Sequence, residues 1–139
     1  MVCLYCASPT QVINSRHQKH PNQVWRRRQC TTCGAIFTSH EVADLSGALA
    51  VADKTMTGQL SPFAKERLFL SIYKCCQHRK TAIEDATALT DTVVSHILKG
   101  AVDGLVLPKH IAEMCLATLQ RFDTAAAVQY EAYHKQTLA

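Results

Sequence analysis

The stretch VWRRRQCTTC, Val24 to Cys33, sets three consecutive arginines directly before a cysteine pair. That pair, Cys30-Thr-Thr-Cys33, repeats the spacing of Cys3-Leu-Tyr-Cys6 near the start of the chain. A C-x₂-C spacing lets one tight turn aim two sulfurs at a single ion, and two such turns supply the four thiolates of a tetrahedral zinc site. The 23 residues between the pairs leave room for a β-hairpin. Gln11–Ser15 and Gln23–Arg28 read as its strands, separated by the polar RHQKHPN with Pro21 and Asn22 as turn residues. Gly34 offers the positive φ that a knuckle turn often needs, and AIFTSHE alternates as a third strand. A thioredoxin-like redox site would require a surrounding βαβ unit that this segment lacks. Residues 1–41 also hold too few apolar side chains to build a core without a staple. The expectation is one structural Zn2+ held by Cys3, Cys6, Cys30 and Cys33, with no open position for catalysis.

Charge separates this segment from the rest. Residues 1–41 carry Arg16, Lys19, Arg26, Arg27 and Arg28 against Glu41 alone, a net of +4, whereas residues 42–139 carry ten basic and ten acidic residues. A basic head on a neutral body points to a polyanion as partner. Arginine forks bind phosphate oxygens bidentately, and Trp25 offers a flat surface for packing or stacking. In an extended strand Arg26 and Arg28 share one face and Arg27 takes the other, while Arg16 has either face open to it. The candidates for contact with nucleic acid are Arg16, Arg26, Arg27 and Arg28, with Lys19 of the turn and Thr38 of the third strand. The basic run also fits a solvated face without a partner, but the near-absence of acidic residues in 1–41 favours nucleic acid.

No stretch approaches the roughly 18–20 continuous apolar residues of a membrane span, and Met1 to Ala7 lacks the basic start of a signal peptide. The chain reads as cytoplasmic, where thiols stay reduced, so its seven cysteines suit metal or core roles better than a disulfide framework.

From about Ala48 the composition changes to that of a helical body. ALAV suggests a short strand and Thr57-Gly58-Gln59 a turn. Ser61-Pro62 reads as a helix start, with Ser as N-cap and Pro at the first helical position. That helix is expected over Pro62–His78, burying Phe63, Leu68, Phe69, Ile72 and Cys76. TAIE from Thr81 matches a capping box and opens a helix to Gly100 through Leu89, Val93, Ile97 and Leu98. Pro108 opens a third, with Ile111, Met114, Cys115, Thr118, Leu119 and Phe122 on one stripe. Asp123 caps a fourth, burying Ala125, Ala126, Tyr130 and Tyr133. Cys75, Cys76 and Cys115 read as small core residues. The body has no phosphate-binding glycine loop and no catalytic triad or dyad, so no enzyme is expected.

Over nearly its whole length the chain resembles the NrdR transcriptional repressors of ribonucleotide reductase genes. The carriers are the two cysteine pairs, VINSR, and WRRRQCTTCGAIFTSHE, with SPFAKERLFLSIYKCCQHRK similar to the start of an ATP-cone. QRFDTAAAVQYEAYHK is similar to the family's close. The resemblance implies an α+β chain in which residues 1–45 form a zinc-ribbon DNA-binding domain. Residues 46–139 would form a mainly helical ATP-cone that binds ATP or dATP and sets the homo-oligomeric state. It implies double-stranded DNA as partner, at operator boxes upstream of reductase genes. The family's Asp before Ser-Arg is Asn14 here, and its Tyr after Thr-Thr is His40. The cone's opening Lys-Arg-Asp-Gly becomes Thr55-Met56-Thr57-Gly58, which leaves Lys54, Thr55, Gly58 and Arg67 as the nucleotide candidates. The alternative is a zinc-ribbon interaction module whose cone serves only as an oligomerisation scaffold. If Arg16 and Arg26–Arg28 each neutralise one phosphate, a dimer makes about eight contacts, and log K falls against log salt with a slope of roughly −7.

Overall fold

The computed structural model describes residues 1–20, 22–52 and 59–139. The chain divides into two compact units, Met1–Ala43 and Asp44–Ala139. Pro21 and the Thr57-Gly58 turn lie outside the described residues.

The first unit is an antiparallel sheet of β1 (Thr10–Gln18), β2 (Gln23–Cys30) and β3 (Ile36–Val42), in the order β1-β2-β3. The alternating polar and β-branched residues that suggested three strands form them, and β1 runs longer than Gln11–Ser15. Its pairing with β2 shifts by one residue between Val12 and Asn14. Such a bulge sends every later side chain to the opposite face from the one unbroken pairing would give it. Opposed residues share a face, so Asn14, Arg27 and Thr38 form one cross-strand row and Arg16, Trp25 and His40 the next. The other face carries Ser15, Arg26 and Ser39 in one row and His17, Val24 and Glu41 in another. Only Cys3 and Cys30 are buried among the described residues of this unit, so no hydrophobic core holds the sheet.

The second unit begins with α1 (Leu45–Ala48), β4 (Ala50–Ala52) and β5 (Leu60–Pro62). It continues through α2 (Lys65–Cys76), α3 (Ala82–Gly100), β6 (Leu105–Val106), α4 (Pro108–Phe122), α5 (Thr124–Tyr133) and α6 (Lys135–Leu138). Its small sheet has the order β5-β4-β6, antiparallel on one side of β4 and parallel on the other. The four main helices are those the sequence suggests, with corrections at their ends. Ser61 and Pro62 do not cap α2. They pair with Val51 and Ala50 in β5, an edge strand, where a proline without an N–H is tolerated. The helix starts at Lys65 behind Ala64 and ends at Cys76, short of His78. Thr81 forms no capping box; its hydroxyl donates to Asp85 Oδ2 at 2.8 Å instead.

The core lies among α2 to α5. In α3 the buried residues Ala82, Ala86, Leu89, Thr90, Val93, Val94 and Ile97 keep the 3.6-residue period of one apolar face. Leu98 falls off that stripe and is exposed. In α4 Cys115 and Leu119 are buried, and Ala112 joins them. Phe122 is exposed, its ring covered by the Arg79 guanidinium at 4.6 Å. In α5 Ala126, Ala127 and Tyr130 face inward, while Ala125 and Tyr133 are exposed. Asp123 caps α5 as expected, accepting from the N–H groups of Ala125 and Ala126 at 2.9 and 3.1 Å. Cys75, Cys76 and Cys115 are buried in the core, and burial pushes the Cys75 and Cys115 thiols up to about 11, which keeps them neutral packing groups.

Ions tie the helix ends. Arg79 donates to Asp85 at 2.7 Å and to Asp123 at 3.0 Å, and His78 contacts the same Asp123 oxygen at 3.0 Å. The His78 contact, helped by the Ala126 N–H, lowers Asp123 to about 2. One carboxylate thus joins the end of α2 to the junction of α4 and α5. Gly104, at φ 72°, accepts a hydrogen bond at its carbonyl from the Ala50 N–H at 2.8 Å. A Cβ there would meet the Ala48 carbonyl oxygen at 2.7 Å, so the approach of this turn to the end of α1 requires glycine.

Candidate metal centre and nucleic-acid interface

Each cysteine pair sits on a turn beside the sheet. The two turns are alike in backbone: the residue after the second cysteine is left-handed in both, Ala7 at φ 56° and Gly34 at φ 73°. Backbone N–H groups point at the sulfurs. Tyr5 donates to Cys3 Sγ at 3.4 Å, and Thr32 and Cys33 both donate to Cys30 Sγ at 3.4 Å.

All four sulfurs lie within 4.8 Å of one another. Cys3 and Cys33 Sγ are 3.7 Å apart, and Cys6 and Cys30 Sγ 3.5 Å. A tetrahedral zinc with Zn–S bonds near 2.3 Å sets its sulfurs about 3.8 Å apart, so the donor set fits that ion. The sulfurs also respond to one another. A hydrogen bond from Ser8 lowers Cys6 to about 6, and the Cys33 N–H lowers Cys30. Against the Ala35 N–H, which favours the thiolate, the neighbouring Cys30 and Cys6 sulfurs push Cys33 up to about 12. Four thiolates at this spacing repel without a cation among them, and a divalent ion removes that repulsion.

The basic residues divide between the two faces of the sheet. Arg26 donates to Glu41 Oε2 from Nη2 at 2.8 Å and from Nε at 3.2 Å, and Arg28 Nε donates to Ser39 Oγ at 3.0 Å. Arg27 is exposed on the other face. Arg16 joins Arg27 there, its guanidinium 5.8 Å from the Trp25 ring centroid. Thr38 lies directly opposite Arg27 and is exposed, and Lys19 is exposed in the β1–β2 turn. The sequence reading overlooked Asn14 and His40 as neighbours of Arg27 and Arg16, and Glu41 as a partner of Arg26. The alternation of β3 hinted at His40 and Glu41 alone, since cross-strand partners depend on register.

In the second unit, Lys54, Thr55 and Gly58 lie outside the described residues. Arg67 is exposed in the first turn of α2. An open depression of about 380 Å³ is lined by residues such as Ser46, Leu60, Pro62, Asp103 and Gly104. No lysine or arginine is among its described lining residues. No helix among the described residues is long and apolar enough to cross a membrane.

A four-thiolate cluster on two knuckles of a small three-stranded sheet defines a zinc-ribbon protein, and the four cysteines cluster to hold a zinc ion. Residues 1–41 match the family described as transcriptional repressor NrdR-like, N-terminal domain. The likeness continues beyond the ribbon. A transcriptional repressor NrdR of Acetivibrio thermocellus is 31% identical over 137 residues, covering 98% of this chain and 88% of the relative. Repressors of the same name from Symbiobacterium thermophilum and Kosmotoga olearia are 26% and 28% identical, each across 98% of this chain and 88% and 84% of their own lengths. The chain belongs to the NrdR family of transcriptional repressors. These relatives bear the name of a repressor and not of an enzyme.

Proposed function

We propose that this chain represses ribonucleotide reductase genes by binding double-stranded DNA through its zinc ribbon, under the control of ATP or dATP bound by residues 46–139. The observation that carries the reading is the concentration of all excess positive charge on a sheet whose one end is pinned by four thiolates. The cations of Arg16, Lys19, Arg26, Arg27 and Arg28 draw the duplex to the ribbon, and its contacts are to be sought among these residues and Thr38. Pinning by metal lowers the ordering cost of the arginine forks when they meet phosphate. One ribbon binds weakly, and an oligomer that presents several raises their effective concentration at paired operator boxes. The nucleotide then acts by changing how many ribbons are joined. Such coupling is reciprocal: a nucleotide that strengthens DNA binding is itself held more tightly when DNA is present.

A second reading has specific support. The family's basic Lys-Arg-Asp becomes Thr55-Met56-Thr57, and the depression has no basic side chain among its described lining residues. Both favour a body that serves only to join copies of the chain. The deciding experiment measures binding of the full chain to duplexes from upstream of reductase genes, with ATP, dATP or neither, and its mass in each condition. Binding and mass that change with nucleotide support regulation. Unchanged binding and mass in all three leave the scaffold, and no binding to duplex DNA removes the repressor mechanism proposed here.

A further inference from the structure

The three consecutive arginines are chemically identical in sequence but not in their surroundings. Arg26 and Arg28 occupy the face that also carries Glu41, the one acidic residue of 1–41. Arg26 is bonded to that carboxylate through two nitrogens and Arg28 to Ser39. An approaching phosphate would have to compete with Glu41 for Arg26 and would be repelled by it. On the opposite face Arg27 has no hydrogen bond or ion pair among the described residues, and no acidic residue shares its rows.

The bulge decides which other side chains join Arg27. Ahead of it Gln11 pairs with Gln29 and Val12 with Arg28; beyond it Asn14 pairs with Arg27 and Arg16 with Trp25. Unbroken pairing would put Asn14 and Arg16 on the Glu41 face. The extra residue at Ile13 turns both toward Arg27, in keeping with the way bulges re-aim side chains at binding surfaces. The resulting row of Asn14, Arg27 and Thr38 is exposed along its whole width. These three side-chain types match base edges: arginine forks pair with guanine O6 and N7, asparagine with adenine N6 and N7, and threonine accepts or donates. The flanking Arg16, laid toward Trp25, and the exposed His40 stand one row away, within reach of the adjoining backbone.

We infer that the Asn14–Arg27–Thr38 row is the base-reading surface of the ribbon and that Arg27 is its specificity-determining residue, with Arg26 and Arg28 adding positive field from the opposite face. This deepens the DNA-binding reading above and rests on it.

The test is selection from a random-sequence duplex pool by the full zinc-loaded chain, with and without ATP. Wild type is compared with Arg27→Lys and Glu41→Gln, and the zinc content of each variant serves as the check that its ribbon is folded. Arg27→Lys keeps the charge and removes the fork. It is expected to lose about tenfold or more of the preference for guanine at one position of the selected sequence, while affinity for unselected duplexes stays within about threefold. Glu41→Gln is expected to leave the selected sequence unchanged and to tighten binding to every duplex. Retention of the full preference by zinc-loaded Arg27→Lys overturns the role of Arg27. A changed sequence preference in Glu41→Gln overturns the choice of face. Wild type that retains no duplex at all defeats the DNA-binding reading itself, before any variant is compared.

Discussion

The two units of this chain are built on opposite physical principles. Met1–Ala43 has a well-paired sheet of exposed and half-buried residues, and its buried described residues are two of the four cysteines. Asp44–Ala139 has a continuous apolar core of side chains such as Ile72, Val93, Ile97, Leu119 and Tyr130. The first unit leaves its side chains free to meet a partner because a metal site replaces the core. The second commits its apolar side chains to packing.

The comparison breaks most visibly on metal removal. Zinc binding to four thiolates is worth about 10–16 kcal/mol, as much as the entire net stability of an ordinary domain, about 5–15 kcal/mol. Excess chelator, or Cys30→Ser, is expected to unfold the ribbon and leave the helical unit with its own cooperative melt. Dispersed ribbon resonances in two-dimensional NMR after chelation would contradict this picture. The reverse experiment targets the core. Ile72→Ala and Leu119→Ala remove fully buried side chains and are expected to cost the helical unit about 2–5 kcal/mol in denaturant titrations. Zinc affinity should not move; if it falls with them, the units are not independent.

Smaller effects sharpen the account within each unit. The equivalent left-handed positions of the two knuckles hold Gly34 and Ala7. Gly34→Ala meets no atom within 4 Å, so its expected loss of about 1–2 kcal/mol reflects backbone strain alone. Ala7→Gly should shift ribbon stability the other way, and equal signs for the two changes would reject the correspondence. Asp123 offers the smallest and most selective test. Its folded-state value, about 2 against an ordinary 3.8, means that the ionised form is favoured by folding. The stabilisation is complete above the unfolded value and is lost as pH falls through the folded one. Melting of the helical unit should therefore weaken from about pH 4 down to pH 2, less steeply in Asp123→Asn, with Asp85 and its Arg79 partner contributing to the same window. Finally, confinement of DNA contacts to the Arg27 face predicts a salt dependence shallower than the slope of roughly −7 expected for all four arginines of a dimer.

How legible the molecule was depended on the range of each interaction. The helices α2 to α5 were recognisable because their apolar period is written within a dozen residues. Their ends were less so. Ser61-Pro62 carries the residues of a helix cap, yet its pairing with Val51 and Ala50 places it in an edge strand. Thr81 and Glu84 match a capping box, but Asp85 takes the threonine hydroxyl. β5 and β6, three and two residues long, are too short to show a period at all.

The metal site and the uneven charge could be read from the amino acids alone, because knuckle spacing is a local geometric requirement and net charge is a sum over residues. The separation of Arg26 and Arg28 from Arg27 was legible for the same reason, since a strand alternates by two. Which of those faces is free was decided by tertiary structure. It depended on Glu41 and Ser39 arriving from β3 beside Arg26 and Arg28, and on a single extra residue near Ile13 turning Asn14 and Arg16 toward Arg27. Those are matters of register between distant segments, which no local pattern specifies, and they turn three equivalent arginines into two that are engaged and one with no hydrogen bond or ion pair among the described residues.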